Sequence, residues 1–431
     1  MNEIRNKIVS HKYFVGIVIL FLFQIFFRFY HLIQWASFDW DQTNHAWAAI
    51  RILTAHKYPL VGMMAKGNSG MFIGPLYYYL VAIFYFLTNL NPIASPILAA
   101  CTGLVCFYVV YNVSKRIFDE HVAFYSCFVY TFSIYVIHYE RSQELTNFLA
   151  PLSFLAFYFL YRVITGQPRY LIHLALSVGL LFHIHFTAIF FPIIIFFSLP
   201  LFPKKKETWK YFGISLLIFF IFLIPPMVYY VQIHDPNATG KYALYFSEYY
   251  HGLHFTRILQ LTHDAFIEFY AILQTPYRFI GDAVWIFVPI FSIVYFRKSP
   301  SKNSLKLLYL IGLWIAIPWL VFATYRGELT DYYFSVQLYI AAMMFGYLTN
   351  RIIENKYILI RILICVFWLY FAYANVVEFS QYQIGSLVRN TSNVEKAVQE
   401  SKPIQFTEGD PESYIYYYFM VTQKHIAPYR M

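Results

Sequence analysis

The chain is short of charge and of cysteine. Only 13% of its 431 residues are Asp, Glu, Lys or Arg, and four are Cys. A soluble globule of that length carries nearer one charged residue in four, so an ordinary water-soluble fold is excluded. Cys101, Cys106, Cys127 and Cys365 stand singly inside apolar runs, with no CxxC pair and no His/Cys cluster. That excludes a disulfide framework and a zinc knuckle. Glycine is sparse too, and the glycine-rich stretch at 66–80 is neither GxGxxG after a strand nor a P-loop, so no nucleotide-binding turn is present. There is no internal repeat and no low-complexity tract. No small-residue cleavage site follows the basic start (Arg5, Lys7, Lys12) and first apolar run, which therefore read as a retained helix and not a cleaved signal peptide.

What is present is apolar: 59% hydrophobic and 22% aromatic residues. Several runs approach the roughly 20 residues that span a bilayer, and none alternates as barrel strands of about 9–11 residues do. The pattern predicts an all-α polytopic membrane protein with helices near 13–33, 93–113, 121–138, 146–163, 170–184, 186–202, 210–230, 281–296, 305–324, 333–350 and 357–377, about 11–12 spans in all. Segment 74–90 is apolar but ambiguous. The net charge of +10 gathers in short loops (the N-terminus, Lys115–Arg116, Arg162 to Arg169, Lys204 to Lys206, Arg297 to Lys306, Arg351 to Arg361). It reads as a positive-inside signal, with no need of a nucleic-acid partner. All these loops are cytoplasmic together only if 71–113 makes a net single crossing, which leaves 74–90 on the external surface. The expected topology is then a multi-pass protein of the cytoplasmic membrane, N-terminus cytoplasmic and C-terminus extracytoplasmic. Its long external loops fall at about 34–92 and 231–280, and a short external segment covers 378–431. Most acidic residues fall outside, with His183 and His185.

The candidate chemistry lies in those loops. In FDWDQTNHAW, 38–47, Asp39 and Asp41 open an amphipathic stretch with Ala46, Ala49, Ile50 and Leu53 on one face. Asp41 is expected as the helix N-cap, or as a carboxylate projecting into a cleft to take a proton from a hydroxyl. Lys66 precedes GPLYYYL and is either solvated or a phosphate ligand. In HYERSQELTNFLAP, 138–151, Arg141 and Asn147 are ligand contacts, or Arg141 forms a loop salt bridge with Glu140 or Glu144. In FHIHFTA, two histidines two residues apart are poorly spaced for a helical metal site, and His185 is either a hydrogen-bond donor to a ligand or a satisfied interfacial histidine. In TYRGELTDYY, Arg326 has the fork that binds two phosphate oxygens, with Glu328 and Tyr332 beside it, or it forms a loop ion pair with a neighbouring glutamate.

Taken in order, these stretches resemble the GT-C membrane glycosyltransferases, in the branch of protein O-mannosyltransferases and the lipid A aminoarabinose transferase. The resemblance rests on Asp41–Gln42, Gly74 to Leu80, Arg141, Asn147 and Pro151, His185 to Thr187, and Tyr325 to Tyr333. It covers most of the chain, and it is the ordered set that is specific. It implies that 1–377 is a GT-C-like bundle with amphipathic helices in the first external loop. It implies a polyprenyl-phosphate sugar donor and a lipid, glycan or protein acceptor. The implied chemistry is inverting attack, with Asp41 as base (Asp39 as second choice), Arg326, Arg141 and Lys66 on the donor phosphate, and His185, Asn147, Tyr332 and Glu328 on sugar or acceptor. Relatives such as the aminoarabinose transferase carry D-E where this chain has Asp41–Gln42, so a second carboxylate is missing at that place. No cofactor is required, and Asp39/Asp41 suit a divalent metal if one is used. The alternative is a transporter or flippase for a lipid-linked saccharide, which would show polar groups at the bilayer midplane and inverted repeats.

Overall fold

The computed structural model describes residues 2–422 except 66–68, 234–237, 251, 253–254, 270, 274–286, 299–300, 328, 401–406 and 408. Apart from short 3₁₀ turns and two isolated bridges, the regular structure among the described residues is α-helical. Helix α1 is Asn2–Phe29, followed by α2 (Trp40–Leu53), α3 (Leu76–Leu87), α4 (Ala94–Ile117), α5 (Glu120–Phe132) and α6 (Ile134–Tyr139). Next come α7 (Leu149–Ile164), α8 (Tyr170–Leu181), α9 (Phe190–Ser198), α10 (Lys206–Ile233), α11 (Ala238–Tyr249) and α12 (Phe255–Phe269). The chain continues with α13 (Phe287–Lys298), α14 (Lys302–Phe322), α15 (Leu338–Ile353), α16 (Ile358–Ser380), α17 (Ser386–Gln399) and α18 (Pro411–Thr422). Five helical stretches among the described residues are long and apolar enough to cross a membrane: 94–117, 145–164, 206–233, 302–322 and 358–380; four shorter apolar ones accompany them. The protein is a multi-pass membrane protein. Helix α3 has 12 residues, about 18 Å at 1.5 Å per residue, well short of a hydrocarbon core of about 30 Å.

The predicted helix at 121–138 divides at Ser133, which ends α5 and caps α6. The Ile134 N–H at the break is taken by Asn375 Oδ1 at 2.8 Å. Arg28, the charge inside the first apolar run, is fully buried against Glu140, with Nη2 and Nε at 2.7 and 2.9 Å from Oε2. Tyr130 and Tyr339 donate to the other carboxylate oxygen at 2.6 and 3.2 Å. A charge at membrane depth persists only with such partners, and these tie α1, α5 and α15 to the loop that follows α6.

A proline inside a helix frees a carbonyl four residues back, because proline has no N–H to return, and two such carbonyls are taken up by side chains. Pro226 in α10 frees Phe222 O, and the His183 ring fills the gap, Nε2 to Phe222 O at 2.8 Å. Its Nδ1 takes the Leu76 N–H at 3.4 Å, so one neutral histidine joins the start of α3 to α10. The ring lies so close that a Cβ on Gly74 would stand 1.9 Å from Nδ1, which explains the glycine of GPLYYYL. Pro318 in α14 frees Trp314 O, which Gln337 Nε2 takes at 3.1 Å.

The C-terminal segment folds back on the first loop. Gly385 N–H donates to Gln34 O and Phe38 N–H to Ser386 Oγ, both at 2.8 Å. Tyr414 packs against Phe38 and Trp47 and donates to Leu90 O at 2.9 Å. The strand-like KPIQFTEGD stretch lies largely outside the described residues.

Candidate active site

The start of α2 sets the site. Trp40 is the first helical residue and Asp39 the N-cap, not Asp41 as the sequence suggested. The reason is Gln42: at the third helical position its Oε1 accepts the Asp39 N–H at 2.9 Å, the return half of a capping box. Gln42 Nε2 donates to Gln143 O at 2.8 Å, so the same buried side chain fixes α2 to the loop before α7. With the cap supplied by Asp39, Asp41 falls in the first turn, where the helix dipole favours an anion, and its side chain borders a cleft. Partial burial, and then the neighbouring Asp39 charge, raise its carboxyl above the ordinary aspartate range.

The cleft holds about 430 Å³. Its polar lining includes Asp41, His45, Glu144, His185 and Tyr332, and its apolar lining includes Met63, Ile184, Phe190 and Val321. Phe186 and Ile189 also line it, and both are substantially exposed on the outer surface. His185 Nδ1 accepts the Thr187 N–H at 3.2 Å. The neutral ring therefore carries its proton on Nε2. Burial lowers its pKa to about 4, which keeps it neutral at physiological pH. Its ring leans on Tyr332 and Tyr333.

The other expected residues are dispersed. Arg141 is outside the cleft lining: its guanidinium donates to Phe27 O at 2.6 Å and Tyr30 O at 2.8 Å and lies over Trp35. It satisfies carbonyls at the end of α1, as cations at helix C-termini do. The expected loop ion pair with Glu140 is replaced by the Arg28 pair. Asn147 Nδ2 donates to Ser142 O at 2.6 Å. Asn147 lines a separate cavity of about 30 Å³ that shares Thr146 and Tyr332 with the main cleft. Arg326 is exposed beside the cleft residue Tyr325, its N–H bonded to Tyr249 O at 2.8 Å. Asp39 is not in the lining. Lys66 and Glu328 lie outside the described residues.

Two acid–base residues of the cleft were not expected there from sequence. Glu144, read from sequence only as an ion-pair partner for Arg141, supplies a second carboxylate, held by Thr146 Oγ1 at 3.1 Å. His45 follows Asp41 by four residues, a spacing that shares a helix face. Among the described residues no group of three or more His, Cys, Asp or Glu is placed to hold a metal.

Residues 73–230 match the model of the dolichyl-phosphate-mannose-protein mannosyltransferase family, and the whole fold has solved counterparts. ArnT from Cupriavidus metallidurans bound to undecaprenyl phosphate superposes with a TM-score of 0.56 at 12% identity, over 95% of this chain and 76% of that one. The fold is GT-C-like. The archaeal oligosaccharyltransferase AglB from Archaeoglobus fulgidus, in complex with an inhibitory peptide and a dolichol-phosphate, superposes with a TM-score of 0.58 at 13% identity, over 98% of this chain and 61% of that one. Another structure of that oligosaccharyltransferase contains Zn and sulfate. No curated protein matches the chain by sequence. The matched family is, by its description, one of mannosyltransferases, and the solved counterparts share this chain's fold.

Proposed function

We propose that the protein transfers a sugar from a polyprenyl-phosphate donor to an acceptor hydroxyl, on the extracytoplasmic face and with inversion. The observation that carries the proposal is the composition of one cleft. A carboxylate with a raised pKa, Asp41, lines a space that also has many apolar side chains in its lining, including the exposed Phe186 and Ile189. A prenyl chain packs on those apolar side chains while its phosphate stays at headgroup level. The acceptor oxygen attacks the anomeric carbon and its proton goes to Asp41. The bond from that carbon to the phosphate oxygen breaks, and the phosphate leaves with the electron pair. Phosphate leaves readily, so one base and cationic or hydrogen-bonding stabilisation of the leaving group suffice. Arg326 and Lys66 are proposed for the phosphate, and the His185 Nε2–H and Tyr332 for sugar or phosphate. Arg141 is given no part in this scheme, because it lies outside the cleft lining and its Nη1 and Nη2 donate to Phe27 O and Tyr30 O.

Membranes containing the protein, supplied with radiolabelled mannose on undecaprenyl phosphate, test this. Label should move to lipid, glycan or protein in proportion to the amount of protein. Flipping of the intact donor across the bilayer without transfer would overturn the proposal in favour of a transporter.

A further inference from the structure

We infer that His45 is a sugar-recognising residue of this cleft, its imidazole exchanging hydrogen bonds with a hydroxyl of the donor sugar. The inference rests on the transferase reading above and assigns a residue that reading does not use. His45 stands one helical turn beyond Asp41 and lines the same cleft. It is 0% exposed, and neither ring nitrogen has a hydrogen-bond partner. The rings of Tyr77 and Tyr78 pack beside it at 4.9 and 5.8 Å without bonding those nitrogens.

The two histidines downstream differ. His183 uses both nitrogens to join α3 to α10, and His185 uses Nδ1 on its own turn. Buried polar groups are rarely left unpaired, and those that are call for an explanation. A phenylalanine would fill the space with no such penalty. A neutral imidazole offers one donor and one acceptor, and a sugar hydroxyl offers the complementary pair. Burial lowers the His45 pKa to about 3, so the ring is neutral at working pH and suits a hydroxyl better than the donor phosphate. Because the ring is buried in the cleft wall, a sugar reaches it by displacing neighbouring lining side chains, and recognition is coupled to that shift.

The test compares the binding of two radiolabelled lipids, undecaprenyl phosphate and undecaprenyl-phosphate mannose, to detergent-purified protein. For wild type the mannosyl lipid should bind more tightly. For His45→Phe that preference should fall by about 10- to 100-fold, as when a site built to bond a hydroxyl loses its partner. Affinity for the sugarless lipid should be unchanged, and thermal stability at least that of wild type. His45→Gln, which keeps a donor and an acceptor, should recover part of the preference, and it decides the matter if the phenylalanine variant does not fold. An unchanged preference in both variants, or equal loss for both lipids, would overturn the inference and leave a packing residue. Wild type binding both lipids alike would also overturn it while leaving the transferase reading intact. Wild type binding neither lipid would overturn the transferase reading itself.

Discussion

Gln42→Glu removes a donor from a buried side chain that bonds at both ends, and the structure predicts that this chain will be destabilised by it. Gln42 is 3% exposed and works at both ends, accepting the Asp39 N–H at 2.9 Å and donating to Gln143 O at 2.8 Å. A carboxylate keeps the first bond and replaces the second by an anionic oxygen facing a carbonyl oxygen. The lost donor leaves a buried acceptor unsatisfied, about 1–3 kcal/mol, and a buried charge adds to that. The variant should therefore be less stable than wild type by about 3 kcal/mol at pH 8. The introduced carboxyl is neutral when it donates to Gln143 O, so its folded pKa lies above its unfolded value. Its protonated, donating form stabilises the fold at low pH, and that contribution disappears as pH rises through the folded pKa. The deficit should shrink between pH 8 and pH 5. Thermal unfolding of the detergent-purified proteins across that range is the assay. A variant as stable as wild type at pH 8, or a deficit that grows on acidification, would refute the account of how Gln42 joins α2 to the loop before α7.

Two further predictions follow from the same geometry. Asp39→Asn keeps a competent N-cap but removes the charge that helps raise the Asp41 pKa. The acid limb of the transfer-rate profile should move to lower pH with activity retained; an unmoved limb refutes the coupling, and abolished activity would give Asp39 the role of base. His183→Leu should destabilise the protein by about 1–3 kcal/mol, because Phe222 O then has no donor. In a Pro226→Ala background a backbone N–H returns to that carbonyl and the cost should drop; strictly additive unfolding shifts in the double-mutant cycle would contradict the proline argument.

Much of the architecture was legible because bilayer thickness and helical rise dictate run lengths, whatever the residues. The helices at 94–117, 206–233 and 358–380 lie within a few residues of the apolar runs that predicted them. The division at Ser133 was not legible, since the Asn375 side chain that accepts the freed N–H is 241 residues away. The cap of α2 was written in the sequence: Asp39 and Gln42 have capping-box spacing, and two aspartates separated by one residue obscured which one begins the helix. Arg141 looked like a ligand residue because a guanidinium near membrane depth needs partners; those it found are carbonyls of α1, brought close only by the folded bundle. Glu144 entered the cleft for a similar reason, through a loop that Gln42 fixes from outside.

The central claim is that Asp41 takes the proton of an attacking hydroxyl. Its most direct test is single-turnover transfer from undecaprenyl-phosphate mannose by wild type and Asp41→Asn, at equal folded protein and saturating donor. The asparagine is nearly isosteric and retains the helix position, so donor binding should persist while the transfer rate falls by about 10²-fold or more, the contribution expected of a general base. Transfer at the wild-type rate by Asp41→Asn would contradict the account.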